Sequence, residues 1–104
     1  MMPNSSVSVE VADLFETLKS QWKSKTRYMS NSAQIAMVWE YQQIIGIGRP
    51  ALPFILAELE HETDHWFWAL EAISGENPVP ANQAGQVENM AKAWIEWGRK
   101  QGLI

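Results

Sequence analysis

The chain has 104 residues, 12 acidic and 8 basic side chains, a formal charge of −4 and a hydrophobic fraction of 46%. That suits one core-forming domain, expected over residues 1–104 with 1–7 disordered, and 19% charged residues is too little for a disordered chain. The absence of cysteine excludes a disulfide scaffold, a thiol nucleophile and a cysteine zinc site, and the acidic balance speaks against a general nucleic-acid binder. No apolar run reaches the roughly 18 residues that span a membrane. The opening MMPNSSVSVE carries no basic, apolar leader, so a cytoplasmic protein is expected.

Apolar residues recur with helical spacing along the chain. Val11, Leu14, Phe15, Leu18 and Trp22 form one stripe, predicting a helix over roughly residues 8–25 with Ser6 or Ser8 as its cap. Ile35, Val38, Trp39, Gln42 and Ile45 form the next, opened by an Asn31–Gln34 capping box and stopped at Gly46 or Gly48. Pro50 and Pro53 fit the first turn of a third helix, whose inward face is Leu52, Ile55, Leu56 and Leu59. Asp64 reads as the N-cap of a fourth helix, with Trp66, Ala69, Leu70 and Ile73 inward and Gly75 as its stop. GENPVPANQAG reads as an exposed loop. A fifth helix runs from about Gln83 to Lys100, with Val87, Met90, Ala91 and Trp94 inward and Glu88–Lys92 and Glu96–Lys100 as ion pairs. No segment alternates with period two. The expected fold is all-α, a compact bundle of about five helices.

Residues 44–75, IIGIGRPALPFILAELEHETDHWFWALEAISG, resemble one HEAT-type repeat: a glycine turn, a proline-started helix, then a Trp-Ala-Leu helix ending in glycine. No second copy follows, so the resemblance implies a HEAT-like helical hairpin inside a closed domain rather than a solenoid. YQQIIGIG, ALPFILAEL, DHWFWALEAISGENPV and AWIEWGRKQGLI together resemble a family of short, uncharacterised bacterial proteins. That pattern has a His-Pro pair just before the tyrosine, where this chain has Trp39-Glu40, and it implies no particular activity.

His61-Glu62-Thr63-Asp64-His65 matches H-E-x-x-H, the zinc-hydrolase string in which two histidines one helical turn apart hold the metal and the glutamate activates water. The motif needs one continuous helix, and Thr63-Asp64 reads as a helix entry. His61, Glu62 and His65 are therefore set aside as metal ligands, and no cofactor is expected. His65 reads as a local hydrogen-bonding and packing residue. No P-loop, dinucleotide fingerprint or G-x-S-x-G elbow is present.

Six tryptophans stand out. Trp22, Trp39, Trp66 and Trp94 fall on inward stripes, whereas Phe67, Trp68 and Trp97 fall off them. Off-stripe aromatics suit an interface, where a rigid ring gives large contact area at little entropic cost. With Asn77 and Val79 of the adjoining loop, they form the expected partner-binding set. Lys19, Lys23, Lys25 and Arg27 crowd the end of the first helix, where they suit the helix dipole and also offer phosphate contacts, with Tyr28 placed to stack on a base. The expected function is a non-catalytic helical interaction module that binds a partner protein or itself. One alternative is an antitoxin-like regulatory subunit of a two-gene bacterial system with a nucleic-acid-associated partner. A hydrolase using HETDH is the other.

Overall fold

A computed structural model describes the backbone of residues 3–104 and the side chains from residue 9 onward. Six α-helices, two short 3-10 turns and no strand make up the described residues, so the chain is all-α. It divides into two compact units, Met1–Ala51 and Leu52–Ile104.

The first unit contains α1 (Pro3–Thr26), α2 (Ser32–Ala36), α3 (Trp39–Ile47) and a 3-10 turn at Arg49–Ala51. α1 starts before the predicted residue 8, so residues 3 to 7 lie in its first turns and Ser6 and Ser8 fall inside the helix instead of capping it; residues 1 and 2 lie outside the described chain. α1 packs against α3 and the 3-10 turn. Phe15, Leu18 and Trp22 of α1 are buried with Ile35, Ala36, Tyr41, Ile44 and Ala51. Leu14, predicted inward, is exposed.

One predicted helix is two. Asn31 caps α2 as expected, its Oδ1 accepting from the Gln34 backbone N–H at 3.1 Å. After five residues the helix stops, and Val38 is extended (φ −61°, ψ 139°). Side chains satisfy the carbonyls that this break exposes. The Trp22 indole donates to Ile35 O at 3.0 Å, and the Gln42 amide donates to Ala36 O at 2.8 Å. The break resets the helical phase, so Glu40, Tyr41 and Ile44 face inward in α3. Trp39, predicted inward, is 61% exposed. Tyr41 takes the interior place, its ring centroid 5.2 Å from that of Trp22. Gly48 ends α3 at φ +83°, a conformation that glycine adopts without Cβ strain.

The second unit contains α4 (Leu52–His61), α5 (Phe67–Ser74), a 3-10 turn at Ala81–Gln83 and α6 (Val87–Lys100). Leu52, Ile55, Leu56 and Leu59 are buried as predicted, together with Trp66, Ala69, Leu70, Ala91 and Trp94. Val87, also predicted inward, is half exposed. α4 packs on α6 and on α5, and Arg99 donates to Glu60 across the first of these pairs at 3.5 Å. Asp64 is not the cap of α5. Its Oδ1 accepts from the His65 N–H and its carbonyl from the Trp66 N–H, both at 2.8 Å, so the helix begins only at Phe67. Likewise α6 begins at Val87, several residues after Gln83, because the 3-10 turn and Gly85 (φ +86°) intervene. At its other end Gly102 N–H bonds Arg99 O and Leu103 N–H bonds Gly98 O, the double bond of a Schellman cap.

At Gly98 α6 packs tightly against α4, since a Cβ there would sit 2.5 Å from Leu56 Cδ1. A Cβ at Gly46, inside α3, would meet nothing within 4 Å. Gly46→Ala is therefore expected to stabilise the chain by about 0.4–1 kcal/mol through helix propensity. Gly98→Val should destabilise it by roughly 1–3 kcal/mol through overpacking. Urea denaturation of the two variants tests the contrast.

Candidate partner-binding cleft

The loop after α5 is built by short-range bonds. Gly75 takes the left-handed conformation and its N–H bonds Glu71 O at 2.8 Å, as predicted for the helix stop. Ser74 Oγ accepts from the Glu76 N–H at 3.1 Å, and Asn77 Oδ1 accepts from the Val79 N–H at 3.1 Å. These bonds bring the chain back along α6. The Trp97 indole donates to Glu76 Oε1 at 3.4 Å, which ties loop to helix.

Between them lies a cleft of about 430 Å³. Pro78, Pro80 and Gln83 form the loop wall; Asn89, Lys92, Ala93, Glu96, Trp97 and Lys100 form the helix wall. The helix-wall residues are spaced i, i+3, i+4, i+7, i+8 and i+11, so α6 presents a second face beside the one that carries Ala91, Trp94 and Gly98. Trp97 belongs to both faces. Its ring meets Trp94 edge-on, with centroids 5.1 Å apart.

The five residues expected to bind a partner are not one surface. Trp97, expected to be exposed, is only 7% accessible, because its indole lies within reach of the core face and Glu76 holds it. It lines the cleft as a wall. Asn77 makes the turn, and Val79 is half-buried between the two prolines. Trp68 is 48% exposed and Phe67 half-buried, and neither lines the cleft. Sequence reasoning missed Lys92, Ala93, Glu96 and Lys100. Their shared helical register was visible, but it reads as an ordinary solvated face until the loop is known to return along it. Glu96 and Lys100 pair at 3.3 Å as expected, whereas no ion pair joins Lys92 to Glu88 among the described residues.

α4 ends at His61 and no helix includes residues 62–66, so His61 and His65 do not share the helical turn that a two-histidine metal site requires. Among the described residues no group of three or more potential metal ligands gathers. No helix of the described residues is long and apolar enough to cross a membrane. Compared with protein-family models, curated proteins and solved structures, the chain matches none.

The basic residues at the end of α1 are partly engaged. Lys19 pairs with Glu16 at 2.9 Å, and Lys25 with Glu40 at 2.7 Å; Lys23 is half-buried and Arg27 exposed. Tyr28 is 92% exposed. Glu40 is itself buried, and its second oxygen, Oε1, has no hydrogen-bond partner. The hydrogen bond from Lys25 holds the Glu40 carboxyl below its ordinary value of 4.5, against the opposing effect of burial. A carboxyl with a lowered folded-state pKa adds stability above its unfolded value, and that stability is lost as pH falls through the folded value. Glu40→Gln should therefore be less stable than wild type at neutral pH. The gap should narrow once pH drops below the ordinary carboxylate value, which thermal melts across a pH series would read.

Proposed function

We propose that this chain is a non-catalytic, cytoplasmic interaction module that binds another protein through the cleft between α6 and the loop after α5. The observation that carries this reading is the cleft itself: about 430 Å³, lined by Trp97, Pro78, Pro80 and Ala93 together with the amides of Gln83 and Asn89 and the charged Lys92, Glu96 and Lys100. Recognition sites combine apolar surface with a few placed polar groups. The engagement of Lys19 and Lys25 by carboxylates supports a protein partner over a phosphate backbone, because a paired lysine releases fewer counterions on binding. Membership of the short bacterial family whose strings this chain shares, with a HEAT-like hairpin at residues 44–75, belongs to the same proposal.

Ala93 stands in the helix wall, so Ala93→Trp should fill the cleft. With the full chain as bait in an extract of its native host, a partner held by wild type and by Trp39→Ser should fall by about tenfold or more with Ala93→Trp. Equal capture by all three would remove the cleft from the interaction. Light scattering on the pure protein reports whether the partner is a second copy.

A further inference from the structure

The charges of α1 are sorted along its length. Its acids, Glu10, Asp13 and Glu16, all precede its bases, Lys19, Lys23 and Lys25, and Arg27 stands in the turn that follows. The helix dipole accounts for Lys23 and Lys25 in the last turn, but its effect fades within one turn, and the first turn of α1 holds no acid. Within the helix the order is unfavourable. Glu10, Asp13 and Glu16 recur every three residues, and Lys19, Lys23 and Arg27 every four, so like charges stand side by side and cost helix stability. Glu16 pairs with Lys19 at 2.9 Å where the two rows meet, and Lys25 is held by Glu40. The side chains of Asp13 and Arg27 make no ion pair or hydrogen bond among the described residues.

Helical spacing puts Val9, Asp13, Glu16, Ser20, Lys23 and Arg27, alternately four and three residues apart, in one stripe opposite the buried Phe15, Leu18 and Trp22. Lys23 is half-buried and the other five are exposed. Counted outward from Ser20, the stripe is self-complementary. Glu16 and Lys23 lie one turn to either side, Asp13 and Arg27 two turns, or about 10 Å. We propose that this stripe joins two copies of the chain as an antiparallel α1–α1 pair with its two-fold axis at Ser20. Asp13 of each copy then meets Arg27 of the other, and Glu16 meets Lys23. A parallel pair would set acid on acid and base on base. The small Ser20 lets the helices approach at the axis, and every contact occurs twice, as a two-fold interface requires. Exposed ion pairs contribute little each, and Val9 is the one apolar residue of the stripe, so the dimer is weak and salt-sensitive. The stripe shares no residue with the cleft.

Sedimentation equilibrium of the full chain is the test. Wild type should show a monomer–dimer equilibrium at low salt that weakens about fivefold or more at about 0.5 M sodium chloride. Asp13→Lys and Arg27→Glu alter exposed, unpaired side chains, so both should keep the helical circular dichroism of wild type. Each variant alone sets like charges at both ends of the pair and should dimerise about fivefold or more weakly. An equal mixture of the two should restore the dimer, because each reversal then faces its opposite. The chain has no cysteine, so oxidation of Ser20→Cys should link two copies at the axis, whereas Gln21→Cys, off the stripe, should stay unlinked. The proposal is overturned by a wild type that stays monomeric up to about 1 mM at low salt, or by a dimer that either reversal leaves unchanged. A mixture that stays monomeric, or equal linking at both cysteine positions, overturns it as well.

Discussion

In each unit a tryptophan on a long helix donates its indole N–H to an acceptor far away in the sequence. An indole contributes more apolar area than most side chains, yet its donor is costly to bury unbonded. Trp22 resolves this by reaching from α1 to the carbonyl of Ile35, where α2 ends. Trp97 resolves it by reaching from α6 to the carboxylate of Glu76, where the irregular loop begins. In both cases a long helix thereby holds a segment that lacks regular hydrogen bonding of its own. The same two contacts decide which residues are left facing outward.

In the first unit the consequence is a change of phase. Once Trp22 and Gln42 have claimed the carbonyls of Ile35 and Ala36, α2 does not run on into α3. α3 restarts with Tyr41 against Trp22 and with Glu40 turned inward to Lys25. The ion pair links the last turn of α1 to the first turn of α3 and engages one of the basic residues that crowd the end of α1. Trp39, displaced by the same restart, becomes surface.

In the second unit the consequence is a concave surface. α6 turns Ala91, Trp94 and Gly98 toward the core, where the bare Gly98 admits Leu56. Its next face would be open to solvent if the loop took another course. Gly75, the Ser74 and Asn77 side-chain bonds and Glu76 direct the loop back along α6, and the cleft is what the two then enclose. Its walls are held by bonds already made in the free protein, so a partner meets a preformed surface and loses less entropy in ordering it.

Much of this was legible in the residues alone. Helical spacing made the all-α class evident, and the inward faces of α4 and α5, the Asn31 cap and the Gly75 stop follow from local chemistry acting within one or two turns. The sequence did not disclose the break after Ala36, because the groups that satisfy the carbonyls it exposes, Trp22 and Gln42, lie 13 and 6 residues away. Nor did it reveal that Trp97 is enclosed, since the acceptor that holds it lies 21 residues earlier. Periodicity reports which residues share a face of one helix. What covers that face depends on where distant chain returns, and tertiary structure alone decided that for Trp39, Trp97 and the Lys92 wall.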